Sequence, residues 1–373
     1  MSATALSHSH RFAEQAAAWI AGLEHRKRKP ISPATLTTYR YHVQRLLPLV
    51  GADTPLANIN NGFLKNLANK IEGSPKTIQE TLAALKQIIA SVVDPENGEQ
   101  IYPRTWNHMF IDAPTIKKQK QPTVTGEEVT RTIRESRSWQ EQLMYTILAG
   151  TGLRVSECLA IRVGRVAEDQ TAFLEDQGVI EVRATIWHNR EYPGKLKTTA
   201  AKRDIDLDPR LPSRIAEFIK AQKIAPGEFL FQSEVKGEPA NLETITRRLR
   251  NREIPGFHAF RRFRLTHLRK ACVPETLIRF WMGHSSKDVT DIYDKSAEDL
   301  EYRRHWSKAA GLSFDLQALG HPRRWRKRRG RLERMETVLK GNAKPQAYAA
   351  SDDDLPAGLF APAAVSQSSN SSA

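Results

Sequence analysis

The chain has 373 residues, which at roughly 150 residues per domain predicts two or three domains with sizeable cores. Hydrophobic residues make up 40% and charged residues 27%, which excludes a wholly disordered chain and a membrane bundle. Lysine and arginine number 57 against 42 acidic residues, so the net charge of +15 favours a polyanionic partner such as nucleic acid.

The amino-terminal part carries four helical patterns. Apolar positions at helical spacing predict a first helix that begins at Phe12 and a third over residues 63–71. The second and fourth helices open at Ser32 and Ser74, each followed by proline, which is typical of an N-cap with proline at the first helical position. Residues 10–113 are therefore predicted to form a compact four-helix module.

Beyond this module the pattern changes. Residues 114–122 read PTIKKQKQP, with proline at both ends and no apolar periodicity, which predicts an interdomain linker. Thr125 and Glu128 form a capping-box pattern that begins the second domain. Alternating and β-branched residues at 179–186 and 203–207 predict a small antiparallel sheet, after which helical patterns return. The expected fold class is mainly α with a small antiparallel β-sheet, an α+β fold.

The two ends differ from the rest in composition. We expect residues 1–9 to be a flexible N-terminus and residues 341–373, rich in serine and alanine, to be a disordered tail. Residues 316–340 form a basic extension that either lies along phosphates or is a solvated tail. Two cysteines, Cys158 and Cys272, are too few for a disulfide framework, so we expect small core residues in a reducing compartment.

Basic residues concentrate late in the chain. Between Arg247 and Lys270 there are nine basic residues and one acid, Glu253, which predicts a phosphate-binding surface or an anion site. Within this stretch His258 and Arg261 are three residues apart, so a helix projects both to one face.

Six residues suited to phosphate chemistry occur in a fixed order. They are Arg154 in TGLRVSE, Lys197 in KTTAAKRDIDL, His258 and Arg261 in HAFRR, His284 in MGHSS, and Tyr293. In this order the set resembles the tyrosine recombinase, or phage integrase, family. Residues 10–113 are similar to the family's SAM-like core-binding domain and residues 123–315 to its catalytic domain.

The resemblance implies a site-specific recombinase that cleaves and rejoins DNA through a 3′-phosphotyrosine intermediate. Tyr293 is then the nucleophile, because a phosphotyrosine conserves the energy of the broken bond. Arg154 and Arg261 hold the phosphoryl oxygens with two guanidinium forks. His258 accepts the phenolic proton, since a phenol has a reference pKa of about 10.

The remaining family roles concern Lys197, His284 and Glu157. Lys197 resembles the family's hairpin lysine, which donates a proton to the departing 5′ oxygen. Lys195 is two residues before Lys197 and lies on the same side of an extended strand, so it is the alternative hairpin lysine. The family pattern KTxxxxRxI favours Lys197. His284 hydrogen-bonds a non-bridging oxygen or steadies the tyrosine. Glu157 orients a neighbouring basic group or is a plain helix-surface carboxylate.

The resemblance also implies partners. We expect double-stranded DNA, contacted by Arg40, Lys76 and Arg262, between two domains that close on it as a clamp. A homotetramer exchanges strands between two sites through a Holliday junction, assisted by DNA-bending or directionality proteins. No cofactor and no metal are expected. The protein is expected to be a cytoplasmic, nucleoid-associated product of a bacterial or phage mobile element, without a membrane partner.

Several alternatives stay open. A type IB topoisomerase uses nearly the same residues on one DNA, and a non-catalytic DNA-binding regulator retains the fold without cutting. Asp204, Asp206 and Asp208 alternate along one segment, which indicates either a metal site or an exposed strand edge. The helical pattern at residues 297–310 docks on a neighbouring subunit or packs in cis.

Overall fold

A computed structural model describes most of the chain, namely residues 10–116, 121–196, 198–235, 237–250, 252, 254–285 and 294–319. Contacts between Cα atoms separate it into two units between residues 116 and 121, within the segment predicted as a linker. Lys197 and Tyr293 lie outside the described residues, and so do the predicted N-terminus, the tail and nearly all of the basic extension.

The first unit is helical. Its helices are α1 (Phe12–Glu24), α2 (Pro33–Val50), α3 (Asn61–Lys70), α4 (Pro75–Ala90) and the short α5 (His108–Ile111), with a 3-10 turn at Leu56–Asn58. The hydroxyls of Ser32 and Ser74 accept hydrogen bonds from the backbone N–H groups of Thr35 and Thr77, both at 3.2 Å, so both predicted N-caps form. Buried apolar side chains from α1 to α4 share one core.

The second unit mixes helices and strands. Its helices are α6 (Gly126–Arg134), α7 (Trp139–Thr151), α8 (Val155–Leu159), α9 (Leu211–Gln222), α10 (Leu242–Arg250), α11 (His258–Lys270), α12 (Glu275–Met282) and α13 (Leu300–Ala310). Short 3-10 turns lie at Thr199–Ala201, Ser296–Glu298 and Leu316–Ala318. The capping box of Thr125 and Glu128 begins α6, as the sequence predicts.

Six short strands complete this unit. They are β1 (Arg162–Val163), β2 (Ala172–Leu174), β3 (Val179–Val182), β4 (Ala184–Trp187), β5 (Arg190–Pro193) and β6 (Arg203–Asp206). One sheet has the order β1-β2-β3-β6, in which β1 and β2 are parallel and the other pairs antiparallel, while β4 and β5 form a separate hairpin.

The single antiparallel sheet predicted from residues 179–186 and 203–207 is therefore only partly right. The extended segment breaks at Arg183, because the hydroxyl of Thr171 accepts hydrogen bonds from the N–H groups of Arg183 at 3.0 Å and Ala184 at 2.8 Å. These bonds replace ladder bonds, so the chain leaves the sheet and continues into the hairpin.

The core of this unit surrounds α7. Met144, Tyr145 and Leu148 on α7 are fully buried, because a helix that is apolar around most of its circumference is covered on all sides. Cys158 belongs to this core, as expected, whereas Cys272 is exposed at a turn with a φ of +56°. The prediction of a buried Cys272 was wrong, since the turn after α11 carries it to the surface.

The last helix among the described residues, α13, packs in cis against α12 and β6. Arg303 on α13 donates from Nε to Oδ2 of Asp206 at 2.9 Å, and the hydroxyl of Ser307 donates to the carbonyl of Asp206 at 3.0 Å. Trp281 on α12 donates to the same carboxylate at 2.9 Å. Docking of this helix on a neighbouring subunit stays a prediction.

Within the described part of the chain, no helix has both the length and the apolar composition needed to cross a membrane.

Candidate active site

The turn between α7 and α8 places Arg154. Gly152 ends α7 with a φ of +71°, and a Cβ at this position would lie 2.6 Å from Cε of Met282. Arg154 is the N-cap residue of α8, and its N–H donates to Oε2 of Glu157 at 3.0 Å. Its guanidinium donates to Oε1 of Glu157 at 2.7 Å, so one carboxylate fixes both the backbone and the side chain of Arg154.

Glu157 is a buried anion, with a relative exposure of 1%. Its carboxylate also accepts a hydrogen bond from Nη2 of Arg203 at 2.9 Å. Burial alone would raise the pKa of Glu157, but the guanidiniums of Arg203 and Arg154 lower it to about 2. Glu157 is therefore charged across the physiological pH range.

Arg203, the arginine of the wording KTxxxxRxI, contacts the candidate site although no role was predicted for it from the sequence. Its side chain is fully buried at the start of β6 and also donates to the carbonyls of Trp281 at 2.7 Å and Ala201 at 2.8 Å. A signal was present in the sequence, because alternation along β6 places Arg203 on the same face as buried Ile205 and Leu207.

The end of α12 places His284. Gly283 adopts a φ of +61°, and its N–H donates to the carbonyl of Phe280 while the N–H of His284 donates to that of Arg279, both at 3.0 Å. This is a Schellman motif. The next two carbonyls, of Trp281 and Met282, accept from arginine side chains, so the four carbonyls that end a helix all have donors here.

Arg261 on α11 joins these segments. Its relative exposure is 8%, and its guanidinium donates to the carbonyl of Gly152 at 2.7 Å and to that of Met282. Nη2 also lies 3.0 Å from Nε2 of His284. Burial and the nearby Arg154 lower the pKa of Arg261 to about 9, which leaves the guanidinium charged at neutral pH.

His284 is neutral at neutral pH. Partial burial, followed by the charges of Arg261 and Arg154, lowers the pKa of His284 to about 4. Because Arg261 has only N–H donors, Nε2 of His284 acts as the acceptor in their contact, and the ring proton lies on Nδ1. The exposed side chain of His284 can thus donate from Nδ1.

The structure brings Arg154, Glu157, Arg261 and His284 together. His258 is the first residue of α11, exposed and three positions before Arg261. Lys195, the alternative hairpin lysine, is exposed just after β5.

The three residues predicted to contact DNA lie on helix surfaces. Arg40 pairs with Glu24, and Nζ of Lys76 lies 3.9 Å from Glu80. Arg262 donates from Nε to the carbonyl of Pro122 at 2.5 Å. The ion pairs of Arg40 and Lys76 are at least partly exposed and contribute little to stability, so DNA phosphates can compete for these two groups. Their DNA contacts stay a prediction.

The alternating aspartates pair with arginines. Asp204 lies 2.6 Å from Arg183, and Asp208 lies 2.8 Å from Arg210. Asp206 and Asp208 are 6% and 3% exposed, so the predicted exposed edge was wrong for both. Burial of β6 under α12 and α13 explains the difference for Asp206. Among the residues that the structure describes, no group of three or more histidine, cysteine or acidic side chains is placed to hold a metal.

Part of this chain matches a known protein family, and a similar protein is known. Residues 123–299 match the model of the phage integrase family. Tyrosine recombinase XerA of Thermococcus onnurineus (strain NA1) is 24% identical over 273 residues, which cover 71% of this chain and 85% of XerA.

Solved structures show the same fold. The Tn1549 transposon integrase in complex with transposon right end DNA is 20% identical, with a TM-score of 0.53, over 74% of this chain and 92% of that one. A lambda integrase (75–356) dimer bound to a COC′ core site is 17% identical, with a TM-score of 0.50, over 79% and 95%. At these identities the likeness shows a shared fold.

Proposed function

We propose that the chain, which belongs to the phage integrase family of tyrosine recombinases through residues 123–299, is a site-specific DNA recombinase that breaks and rejoins DNA strands. The observation that carries this proposal is that Arg154 and Arg203 both pair with the buried carboxylate of Glu157, while the nearby Arg261 contacts His284. Three guanidiniums against one carboxylate leave an excess of positive charge, which favours a transition state with added negative charge.

The proposed cleavage step is a direct displacement at phosphorus. The phenolic oxygen of Tyr293 forms a bond to phosphorus while the bond from phosphorus to the 5′ oxygen breaks. His258 takes the phenolic proton, and Lys197 gives a proton to the departing 5′ oxygen. Arg154 and Arg261 bind the non-bridging oxygens, and neutral His284 donates from Nδ1 to one of them.

Rejoining is the reverse displacement, in which a 5′ hydroxyl attacks the 3′-phosphotyrosine and releases Tyr293. The phosphotyrosine conserves the bond energy, so neither ATP nor a metal ion is part of the proposed step. In the proposed cycle a homotetramer joins two DNA sites and exchanges strand pairs through a Holliday junction. Accessory DNA-bending or directionality proteins complete the proposed assembly in a bacterial or phage setting.

We further propose that residues 10–113 form the core-binding domain, whose DNA contacts include Arg40 and Lys76. The four helices α1 to α4 around one core support this proposal. Arg262 is proposed to add a phosphate contact from the second unit.

The test uses a suicide duplex, nicked near the cleavage position and drawn from sequences that flank the gene. The full chain and its Tyr293→Phe variant are incubated with the duplex without added metal. We expect a protein–DNA adduct that resists denaturation with the wild type and none with the variant. Absence of the adduct on a duplex that the wild type binds tightly would leave the non-catalytic DNA-binding alternative.

A second arm separates the enzyme classes. A recombinase joins two DNA sites and yields exchanged products, whereas a type IB topoisomerase relaxes one supercoiled DNA without a partner site. Exchange products from two sites on separate DNA molecules would support the proposal, and relaxation without exchange would contradict it.

A further inference from the structure

We infer that Arg203 is a positioning residue for DNA cleavage. Its guanidinium connects the turn that carries His284 with the carboxylate of Glu157, which holds Arg154. This inference rests on the proposed function and extends it to a residue outside the six chemical groups. Arg203 is fully buried, so it contacts neither solvent nor DNA directly.

The contacts of Arg203 run in two directions. Toward α8, Nη2 donates to Oε2 of Glu157 at 2.9 Å, and Nη1 lies 3.4 Å from Oε1. Toward α12, Nε donates to the carbonyl of Trp281 at 2.7 Å. A single planar group thus fixes the distance between the residue that holds Arg154 and the last turn before His284.

On the α12 side, Gly283 packs closely against the guanidinium of Arg203. A Cβ at Gly283 would lie 3.0 Å from Nη1 of Arg203 and 3.2 Å from the carbonyl oxygen of Ala200. The turn therefore lies directly against the guanidinium, and displacement of that group moves the backbone that holds His284.

The energetics of burial favour a geometric role. A buried ion pair has a large desolvation cost and is often no more stabilising than apolar residues of the same volume. Retaining a guanidinium at this position therefore adds little stability, whereas its planar array of donors orients several acceptors at once. Lysine would keep the charge near Glu157 but has one nitrogen, which cannot reproduce the array that also binds Trp281.

The experiment compares Arg203→Lys with Arg183→Lys in the full chain. Arg183 is the matched control, since it lies in the same sheet region, pairs with Asp204 at 2.6 Å and donates to the carbonyl of Arg203 at 2.8 Å, but has no contact with α12 among those described. For each variant, the Kd for the suicide duplex and the single-turnover rate of adduct formation are measured.

We expect R203K to keep its Kd within about threefold of wild type and to lose roughly 10²-fold in adduct rate, as a misplacement of about 1 Å does. R183K should keep both values within about threefold. Equal losses in R203K and R183K, or a wild-type rate in R203K, would overturn the inference.

A double-mutant cycle separates positioning from a general loss of stability. If Arg203 acts through His284, His284→Ala should cost at least about tenfold less in the R203K background than in wild type, because the two changes remove one shared function. Independent, multiplicative losses would overturn the inference. An absent adduct in wild type would instead contradict the proposed function, so the two failures are distinguishable.

Gly283→Ala provides a second route that does not depend on the folding of R203K. It adds a methyl group against the same guanidinium and strains a backbone φ of +61°, so we expect a loss of adduct rate with the Kd unchanged. An unchanged adduct rate in folded G283A would also count against the role assigned to Arg203.

Discussion

Glu157 controls the charge balance of the candidate site. It is the carboxylate that accepts from both Arg154 and Arg203, and it is almost completely buried. Removing an anion from such a position leaves the fully buried guanidinium of Arg203 without a charged partner. Breaking a buried pair in this way is costly, whereas the net contribution of the intact pair is small.

The first prediction concerns Glu157→Gln. We expect this variant to lose about 3 kcal/mol of unfolding free energy at pH 7, because it leaves the charge of Arg203 buried and uncompensated. The measurement is urea unfolding of the full chain, followed by circular dichroism. A loss below about 0.5 kcal/mol, the size of an ordinary surface change, would contradict the buried pair.

The pH dependence of the same pair gives a second prediction. The pKa of Glu157 falls from its ordinary value of 4.5 to about 2 on folding, so its stabilisation is complete above pH 4.5 and is lost as the pH falls toward 2. The stability difference between wild type and E157Q should therefore shrink between pH 4.5 and pH 2. A difference that stays constant through this window would contradict the low pKa.

The third prediction concerns the Arg261→Lys variant. Arg261→Lys cannot donate to Gly152, Met282 and His284 at once, so we expect the rate of adduct formation to fall at least about 10²-fold with little change in DNA affinity. Arg269→Lys is the control, because Arg269 lies on the same helix but is exposed and pairs with Glu275. Comparable rates in R261K and R269K would refute the role proposed for Arg261.

At the scale of elements, α12 and α13 are held together through β6. Asp206 accepts from Trp281 on α12 and from Arg303 on α13, and its buried carboxylate has both donors within 2.9 Å. Arg303 also lies over the ring of Phe280, 5.2 Å from its centroid. Cis packing of α13 therefore depends on a buried polar cluster as well as on apolar contacts.

The fourth prediction tests this cluster. Asp206→Ala leaves the donors of Arg303 and Trp281 buried without an acceptor, so amide hydrogen exchange across residues 300–310 should accelerate by at least about tenfold. Asp204→Ala is the control, because Asp204 is partly exposed and pairs with Arg183. Unchanged exchange in D206A would show that apolar packing alone holds α13.

The elements that the sequence predicts well are those set by local chemistry. Ser32 and Ser74 followed by proline, and Thr125 with Glu128, begin helices because the capping groups lie within three residues of their partners. The break at Arg183 was not predicted, since it depends on the hydroxyl of Thr171, twelve residues away.

The candidate site shows the same division. Arg154, Arg261 and His284 were predicted from ordered motifs, and the structure brings them together. Arg203 is the arginine of the wording KTxxxxRxI and alternates with apolar residues, but neither feature indicates which groups its side chain contacts. Its partners, Glu157 and Trp281, are 46 and 78 residues away in sequence, and only tertiary structure joins them.

At the scale of the whole molecule, the net charge of +15 is the feature most directly related to DNA. The loop between α1 and α2 contributes four consecutive basic residues, at positions 26–29, all exposed. Each phosphate that a basic side chain neutralises releases counterions, so affinity for duplex DNA should fall steeply as salt rises.

The fifth prediction concerns a variant of the full chain in which these four loop residues are replaced by glutamine. If the loop binds phosphates, the slope of log affinity against log salt should become less steep by about 0.9 for each phosphate that the loop no longer neutralises. Fluorescence anisotropy with a labelled duplex at several salt concentrations measures the slope. An unchanged slope would exclude this loop from the DNA-binding surface proposed for the first unit.

We expect Tyr293 to become covalently joined to DNA, and peptide mapping of the adduct identifies the joined residue. The adduct is digested with nuclease and trypsin, and the modified peptide is identified by mass spectrometry. We expect a nucleotide attached through its 3′ phosphate to Tyr293, with a free 5′ hydroxyl on the released strand. A nucleotide on any other residue, or a 5′-linked nucleotide on Tyr293, would contradict it.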